Sequence, residues 1–145
     1  MLPSVHDHSL IEYRVHLRAR QVTLITRPEA TRSSSADQAA FTVDAVATVF
    51  EGLEAHHFER VAAGVILSEI AEPPLGHFLS EHEREFTEGH RLVGAPSWWR
   101  GTLAAAEVYL RDRGTRVFEI HSSYGFSGWI LASRVHQSWW AAGDP

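Results

Sequence analysis

The chain contains no cysteine among its 145 residues. This absence excludes disulfide bonds, thiolate zinc sites, iron–sulfur clusters and cysteine nucleophiles, all of which need the thiol or thiolate. A chain without cysteine is compatible with a reducing compartment. Lysine is also absent, so all 13 basic residues are arginine. This composition is typical of a GC-rich genome and indicates no function by itself.

Long apolar runs and a basic, apolar leader are both missing. No stretch approaches the roughly 20 apolar residues that a membrane-spanning helix needs. The first ten residues, MLPSVHDHSL, do not resemble a secretory signal. The sequence therefore predicts a soluble, cytoplasmic protein with no membrane partner.

Positive charge is scarce, since the formal net charge is −5. Proteins that bind nucleic acids usually carry a basic stripe. The nearest group here is Arg14, Arg18, Arg20 and Arg27, which is spread over two predicted strands with Glu12 beside it. We expect no nucleic-acid partner, and a mildly acidic surface is better suited to a basic protein.

Motifs for catalysis, cofactors and metals are not found. Residues 122–129 contain three serines near two glycines, but the spacing is neither GxSxG nor that of a phosphate loop. His6-Asp7-His8 lies at the terminus, where flexibility is the default. His77 and His82 are five residues apart, whereas the HExxH motif needs four. The sequence predicts no catalytic residue, no cofactor and no metal site.

Hydrophobic patterning predicts six strands. Residues 10–17, 21–26, 41–50 and 65–70 alternate or are rich in β-branched residues, and two further strands start near Val117 and Trp129. The third strand continues through 51–58 with a bend at Gly52.

Two helices are predicted between the fourth and fifth strands. Residues 75–86 carry an apolar stripe at helical spacing, with Gly89 or Gly94 as the stop. Residues 102–113 form the stronger pattern, which Thr102 caps and Gly114 ends.

The predicted fold class follows from this order, ββββααββ. It is α+β, with one antiparallel, meander-like sheet of about six strands and the two helices between strands 4 and 5. Residues 1–145 are expected to form a single domain, in which residues 1–8 are flexible and residues 28–40 form a mobile loop.

Trp98-Trp99-Arg100 is the most unusual segment of the sequence. Two adjacent tryptophans in an irregular connection carry a large apolar surface. One ring is expected to cap the core. The other, together with Arg100, is expected to line a pocket or a partner surface, because tryptophan and arginine are enriched at interfaces. The alternative is that both rings simply pack.

His56, His57 and Tyr124 complete the set of candidate binding residues. Adjacent residues on a regular strand point to opposite faces, so His56 and His57 cannot share one ion. Glu51, Glu54 and Glu59 lie nearby in sequence and suggest an acid–base pair, although a solvated strand face explains them better. Tyr124 lies in a glycine-containing turn and is a candidate ligand contact.

Three stretches resemble a family of small uncharacterised bacterial domains: residues 50–58, 97–101 and 122–132. Residues 9–70 also resemble small immunity proteins of contact-dependent toxin systems. The resemblance implies an antiparallel sheet with flanking helices and a binding role, and it transfers no functional residue.

These observations favour a non-enzymatic protein-interaction domain that is immunity-like. The alternative is a small-molecule-binding or hydrolytic protein with a pocket near His56, His57, Trp98, Trp99 and Tyr124. Self-association as a homodimer, through sheet edges or through Trp139 and Trp140, is a third hypothesis.

Overall fold

A computed structural model describes residues 2–28, 45–94, 96–123 and 126–140. Within these ranges the chain forms eight strands and three helices. The strands are β1 (His8–His16), β2 (Gln21–Pro28), β3 (Ala45–Glu51), β4 (Ala55–Glu59), β5 (Ile66–Ala71), β6 (Arg116–Ser122), β7 (Ser127–Ala132) and β8 (Arg134–Trp140). The helices are α1 (Leu75–Glu81), α2 (Glu83–Val93) and α3 (Leu103–Asp112).

The strands form one antiparallel sheet in the order β4-β7-β6-β5-β1-β2-β3-β8. At one end β4 pairs with β7, and at the other end β3 pairs with β8. Because β3 runs into β4 and β7 runs into β8, residues 45–59 and 127–140 form one long bent pair that closes the sheet on itself. The meander-like order predicted from the sequence is wrong, since β1 lies beside β5 and β3 beside β8.

Two bends explain why the prediction of six strands is wrong. Gly52 has a φ of +71°, a left-handed conformation that favours glycine. A Cβ at this position would collide with Ser133 Oγ. The Ser133 backbone N–H donates to Glu51 O at 2.9 Å, which locks the two bends together. Each long strand of the pair is thereby divided into two.

The prediction of two helices is wrong because a break at His82 divides the first one. Its φ and ψ are −107° and 7°, which end α1, and α2 starts at the next residue. One apolar stripe runs through both helices, so the pattern concealed the break. The second predicted helix is confirmed as α3: the Thr102 side chain accepts a hydrogen bond from the Ala105 N–H at 3.1 Å.

Three apolar clusters hold the fold together, and the third and smallest consists of Ile25, Ala45 and Ala47 with Trp140 packed against them. The first fills the closed sheet and takes residues from all eight strands, with Leu24, Phe50, Phe118 and Ile130 fully buried. The second lies between the three helices and the outer face of β4, β7 and β6. Alternation along each strand sends neighbouring side chains to opposite clusters. The outer face of these three strands is therefore where helices and sheet meet.

The N-terminal segment packs against the sheet in the described part of the chain. Val5 is fully buried, and the Asp7 N–H donates to Leu67 O at 3.0 Å. The flexibility expected for residues 1–8 stays a prediction. The loop expected at residues 28–40 lies, apart from Pro28 at the end of β2, outside the described residues. Within the described ranges, every helix is too short or too polar to cross a membrane.

A substitution at Gly128 tests the close approach between β7 and β4. A Cβ here would collide with the Phe58 ring and would lie 2.7 Å from His57 O. We expect Gly128→Ala to lower the free energy of unfolding by about 1–3 kcal/mol, because overpacking forces the backbone to shift. Chemical denaturation followed by circular dichroism measures the change.

Gly76→Ala is the matched control. Its Cβ meets only the carboxylate end of Glu107, at 2.6 Å, which can move aside. The helical position gains up to about 1 kcal/mol from alanine. Equal losses of stability in both variants would contradict the argument from strand packing.

Candidate functional site

Two rows of polar residues cross the outer face of β4, β7 and β6. In the first row His57 lies opposite Trp129, which lies opposite Glu119. In the second row Glu59 lies opposite Ser127, which lies opposite His121. Directly opposite residues have Cβ atoms about 4.5–5.5 Å apart. The rows therefore form one continuous patch around Trp129. His57 and His121 lie on one diagonal of this patch, and Glu59 and Glu119 lie on the other.

The break between α1 and α2 supplies the wall above these rows. His82 and Glu85 join the six strand residues to line a cleft of about 240 Å³. Phe78 and Phe86 hold the edge of the cleft, because both rings lie edge-on to Trp129 with centroids 5.2 and 5.8 Å away. Trp129 is half-buried and forms the floor.

Hydrogen bonds orient the imidazoles in the cleft. His57 stacks on Trp129, with ring centroids 6.0 Å apart, and its Nε2 lies 2.9 Å from Glu59 Oε1. His82 Nδ1 lies 3.0 Å from Phe78 O. A carbonyl oxygen can only accept, so Nδ1 carries the proton and Nε2 of the neutral ring is an acceptor. His121 Nε2 lies 3.7 Å from Glu119 Oε1.

The cleft carries negative charge that no neighbouring arginine neutralises. Its lining includes Glu59, Glu85 and Glu119 and contains no arginine. In the described part of the chain, arginines form ion pairs with Glu12, Glu51, Glu54, Glu72, Glu88 and Glu107. None of these six glutamates lines the cleft. The carboxylates that do so contact histidine or no charged partner.

Hydrogen-bond acceptors therefore outnumber donors in the cleft. Three carboxylates supply acceptor oxygens, and His82 Nε2 adds an acceptor nitrogen. Within residues 2–28, 45–94, 96–123 and 126–140, no three histidine, aspartate or glutamate side chains are arranged to hold a metal ion. The chemistry that this geometry offers is the binding of a cationic group that is rich in donors.

The structure separates His56 from His57, as the strand alternation predicted. His56 lies on the inner side, where its ring centroid is 5.3 Å from that of Phe58. His57 lies on the outer side, in the cleft. Burial is the main cause that lowers the pKa of His56, and the positive charge of His57 lowers it further.

Trp98 and Trp99 lie in the core beneath the helices, with only 2% and 1% of their surfaces exposed. The Trp98 ring packs edge-on against Phe86 with centroids 4.8 Å apart. Arg100 is exposed, and its guanidinium lies 4.7 Å from the centroid of the Tyr109 ring. Tyr124 is outside the described residues. Of the five candidate binding residues that the structure describes, only His57 lines the cleft.

Sequence reasoning missed most of the residues that line the cleft. Glu59 was considered as part of an acid–base pair but was assigned to a solvated strand face, and His82 was considered only as a failed metal motif. The available signal was the reversed pair of motifs His57-Phe58-Glu59 and Glu119-Ile120-His121, in which alternate residues share a strand face. What the sequence did not provide was the pairing of β4 and β6 with β7, which places these two motifs side by side.

Comparisons with protein families, with curated proteins and with solved structures find no match to this chain. The function therefore has to be inferred from the geometry of the chain itself.

The lowered pKa of His56 leads to a prediction about stability and pH. The unfolded chain binds this proton more tightly than the folded chain does, so stability is full above the ordinary histidine pKa of 6.5 and is lost as pH falls through the lower folded value. We expect the free energy of unfolding to decrease between about pH 7 and pH 5 and His56→Gln to weaken this decrease. Urea denaturation at a series of pH values measures it.

His8 contributes in the same direction, because burial also lowers its pKa. A residual decrease in the His56→Gln protein is therefore expected. His16→Gln, at an exposed position on β1, is the control for histidine replacement in general. An unchanged pH slope in His56→Gln would contradict the prediction.

Proposed function

We propose that this protein is a non-enzymatic protein-interaction domain whose cleft receives a basic side chain, above all arginine, from a partner protein. The observation that carries the proposal is the excess of acceptors in the cleft: three carboxylates beside Trp129, with no arginine in the lining. Three carboxylates that line one cleft repel one another. A partner cation relieves that repulsion.

An arginine guanidinium matches this lining in both charge and shape. It is planar, carries five N–H donors and cannot accept a hydrogen bond. Glu59, Glu85 and Glu119 surround the cleft on three elements, β4, α2 and β6, so donors that diverge in one plane can reach more than one of them. Contact with the exposed part of the Trp129 ring adds a cation–π interaction of about 0.5–1 kcal/mol.

A basic segment of a protein suits the surroundings of the cleft better than an isolated cation does. Glu69 on β5 lies opposite His121 and therefore extends the second row by one strand with a further carboxylate. Glu83 lies on the first turn of α2, next to the wall of the cleft. Additional positive charges beside the docked arginine would meet these carboxylates. Charge complementarity of this kind speeds association and excludes acidic partners.

The immunity-like role suggested by the sequence is one form of this proposal. In that form the basic partner is a toxin, and its positively charged surface is covered when the two proteins bind. The net charge of −5 supports a basic protein partner and disfavours nucleic acid. The cysteine-free composition supports the cytoplasm as the compartment.

Hydrolysis at the same cleft is the second candidate function. The observation in its favour is the second row, where the Ser127 hydroxyl lies between Glu59 and His121 on neighbouring strands. A serine beside a histidine and a carboxylate is the arrangement of a nucleophile and its base. Turnover of a nitrophenyl ester that is lost in Ser127→Ala would support this candidate over simple binding.

The binding proposal predicts saturable binding of an arginine peptide. The probe is acetyl-Gly-Arg-Gly-amide, titrated while the indole N–H resonance of Trp129 is followed by NMR. We expect a dissociation constant of about 1 mM, as suits a few contacts in a shallow site. The peptide with citrulline in place of arginine has nearly the same shape but no charge, and we expect it to leave the resonance unmoved.

Two glutamates on α2 provide matched variants for this titration. Glu85 lines the cleft, whereas Glu88 pairs with Arg84 away from it. We expect Glu85→Gln to weaken binding about 2- to 5-fold, the effect of a partly exposed charge pair, and Glu88→Gln to leave it unchanged. Equal binding of the arginine and citrulline peptides would contradict the proposal.

A further inference from the structure

Strand β8 has a hydrogen-bonding partner on one side only. Its register with β3 runs without interruption from Arg134, opposite Glu51, to Trp140, opposite Ala45. Within the described ranges, no strand pairs with its other side. Five of its seven residues are exposed. A straight edge of this length presents a row of unpaired N–H and C=O groups that can pair with another strand.

Part of strand β1 is also unpaired on one side, but it is protected in ways that β8 is not. Beyond Ser9, strand β1 has no pairing with β5, but it carries a register shift between Leu10 and Glu12 and the charged pair of Glu12 and Arg14. Bulges and charges are the usual devices that prevent edge pairing. β8 has no register shift and no proline, and its one formal charge lies at its first residue.

An exposed tryptophan marks the same edge. Trp139 has 73% of its surface exposed, more than most of the large apolar side chains on the protein surface. Tryptophan is among the residues most enriched at the centres of interfaces. Its exposure on an unprotected edge strand indicates that a partner covers it.

We propose that β8 pairs in antiparallel fashion with β8 of a second copy of this chain, forming a two-fold symmetric dimer. A two-fold axis through Gln137 places Arg134 opposite Trp140, Val135 opposite Trp139, and His136 opposite Ser138. Each of these pairs lies on one face of the extended sheet, because directly opposite residues share a face. The sequence of β8 is thus complementary to itself.

Charge and side-chain type both favour this register. The single arginine of each strand faces an aromatic ring and lies far from its own copy, so like charges do not oppose one another. Aromatic residues paired with β-branched residues, as Trp139 with Val135, each contribute about 0.2–1 kcal/mol to a sheet.

A second copy accounts for this edge more completely than an unrelated strand does. Pairing of β8 with its own copy covers the β8 edge of both chains at once, so the association ends at two chains. The dimer also leaves the cleft accessible, because the cleft lies at the Ser127–Trp129 part of the bent pair, whereas the pairing edge begins at Arg134, beyond the bend at Ser133. Each dimer would therefore present two clefts, which raises the avidity for a partner with two basic segments.

Sedimentation velocity of the full chain over a wide range of concentrations tests the proposal. We expect the wild-type protein to show a reversible, concentration-dependent dimer. Trp139→Lys should raise the dimer dissociation constant by about tenfold or more, because it removes a buried aromatic side chain and places a charge on the edge. Leu92→Lys, at a position on α2 with 71% exposure, is the matched control and should dimerise as the wild type does.

A second variant and a second readout make the outcome decisive. Ser138→Lys places the charge on the edge without removing an aromatic ring, and it replaces Trp139→Lys if circular dichroism shows that the latter is unfolded. Hydrogen exchange should show protection of the residue 134–140 amides that increases with protein concentration. A monomeric wild type at every concentration would overturn the proposal, and so would equal dimerisation of all three variants. Both results leave the binding of arginine by the cleft unaffected.

Discussion

The pairing of residues 45–59 with residues 127–140 is the constraint on which the rest of the structure depends. Both segments bend at the same level, where Gly52 takes a left-handed φ and Ser133 donates to Glu51. Without the bend, β3 and β4 would continue straight and the sheet would remain open. With it, side chains from all eight strands meet in one interior cluster. The bend thus converts a flat sheet with two exposed faces into a closed sheet with a buried interior.

The candidate site follows from the same closure. Once the inner faces of β4, β7 and β6 are filled, their outer faces must either contact the helices or meet solvent. Trp129 and Leu131 are covered by α1 and α2, and the rows that extend beyond this cover hold the histidines and glutamates. The break at His82 adds a further imidazole at the boundary. The cleft is therefore the place where the helical layer ends on the sheet.

Local features of the fold were predictable from the sequence, whereas long-range ones were not. The α+β class, the antiparallel pairing, the bend at Gly52 and the cap at Thr102 all depend on patterns within a few residues. The strand order depends on partners far apart, such as Ser133 and Glu51, which are separated by 82 positions. Nothing in a single sequence records such a partner. The division of β7 from β8 and the break at His82 were missed because one hydrophobic pattern spans each of them.

The candidate residues show the same limit. Alternation on one strand correctly separated His56 from His57, but it could not say what lies beside either one. Trp98 and Trp99 were singled out by their size and rarity, and their role in the structure is to fill the space beneath the helices. Glu119 and His121 were not identified as candidates. The residues in the same rows, His57 for Glu119 and Glu59 for His121, lie two strands away across β7.

The closing pair also has a consequence for the order in which the chain folds. Residues 127–140 are synthesised after every strand that they contact, so β4 and one edge of β3 have no strand partner until these residues are made. Folds dominated by such distant contacts form slowly, because the entropy of a long loop is lost before the contacts are gained. During this interval the apolar faces of β2 and β3 are exposed to other chains. Partly folded chains of this kind are prone to aggregate until residues 127–140 complete the pair.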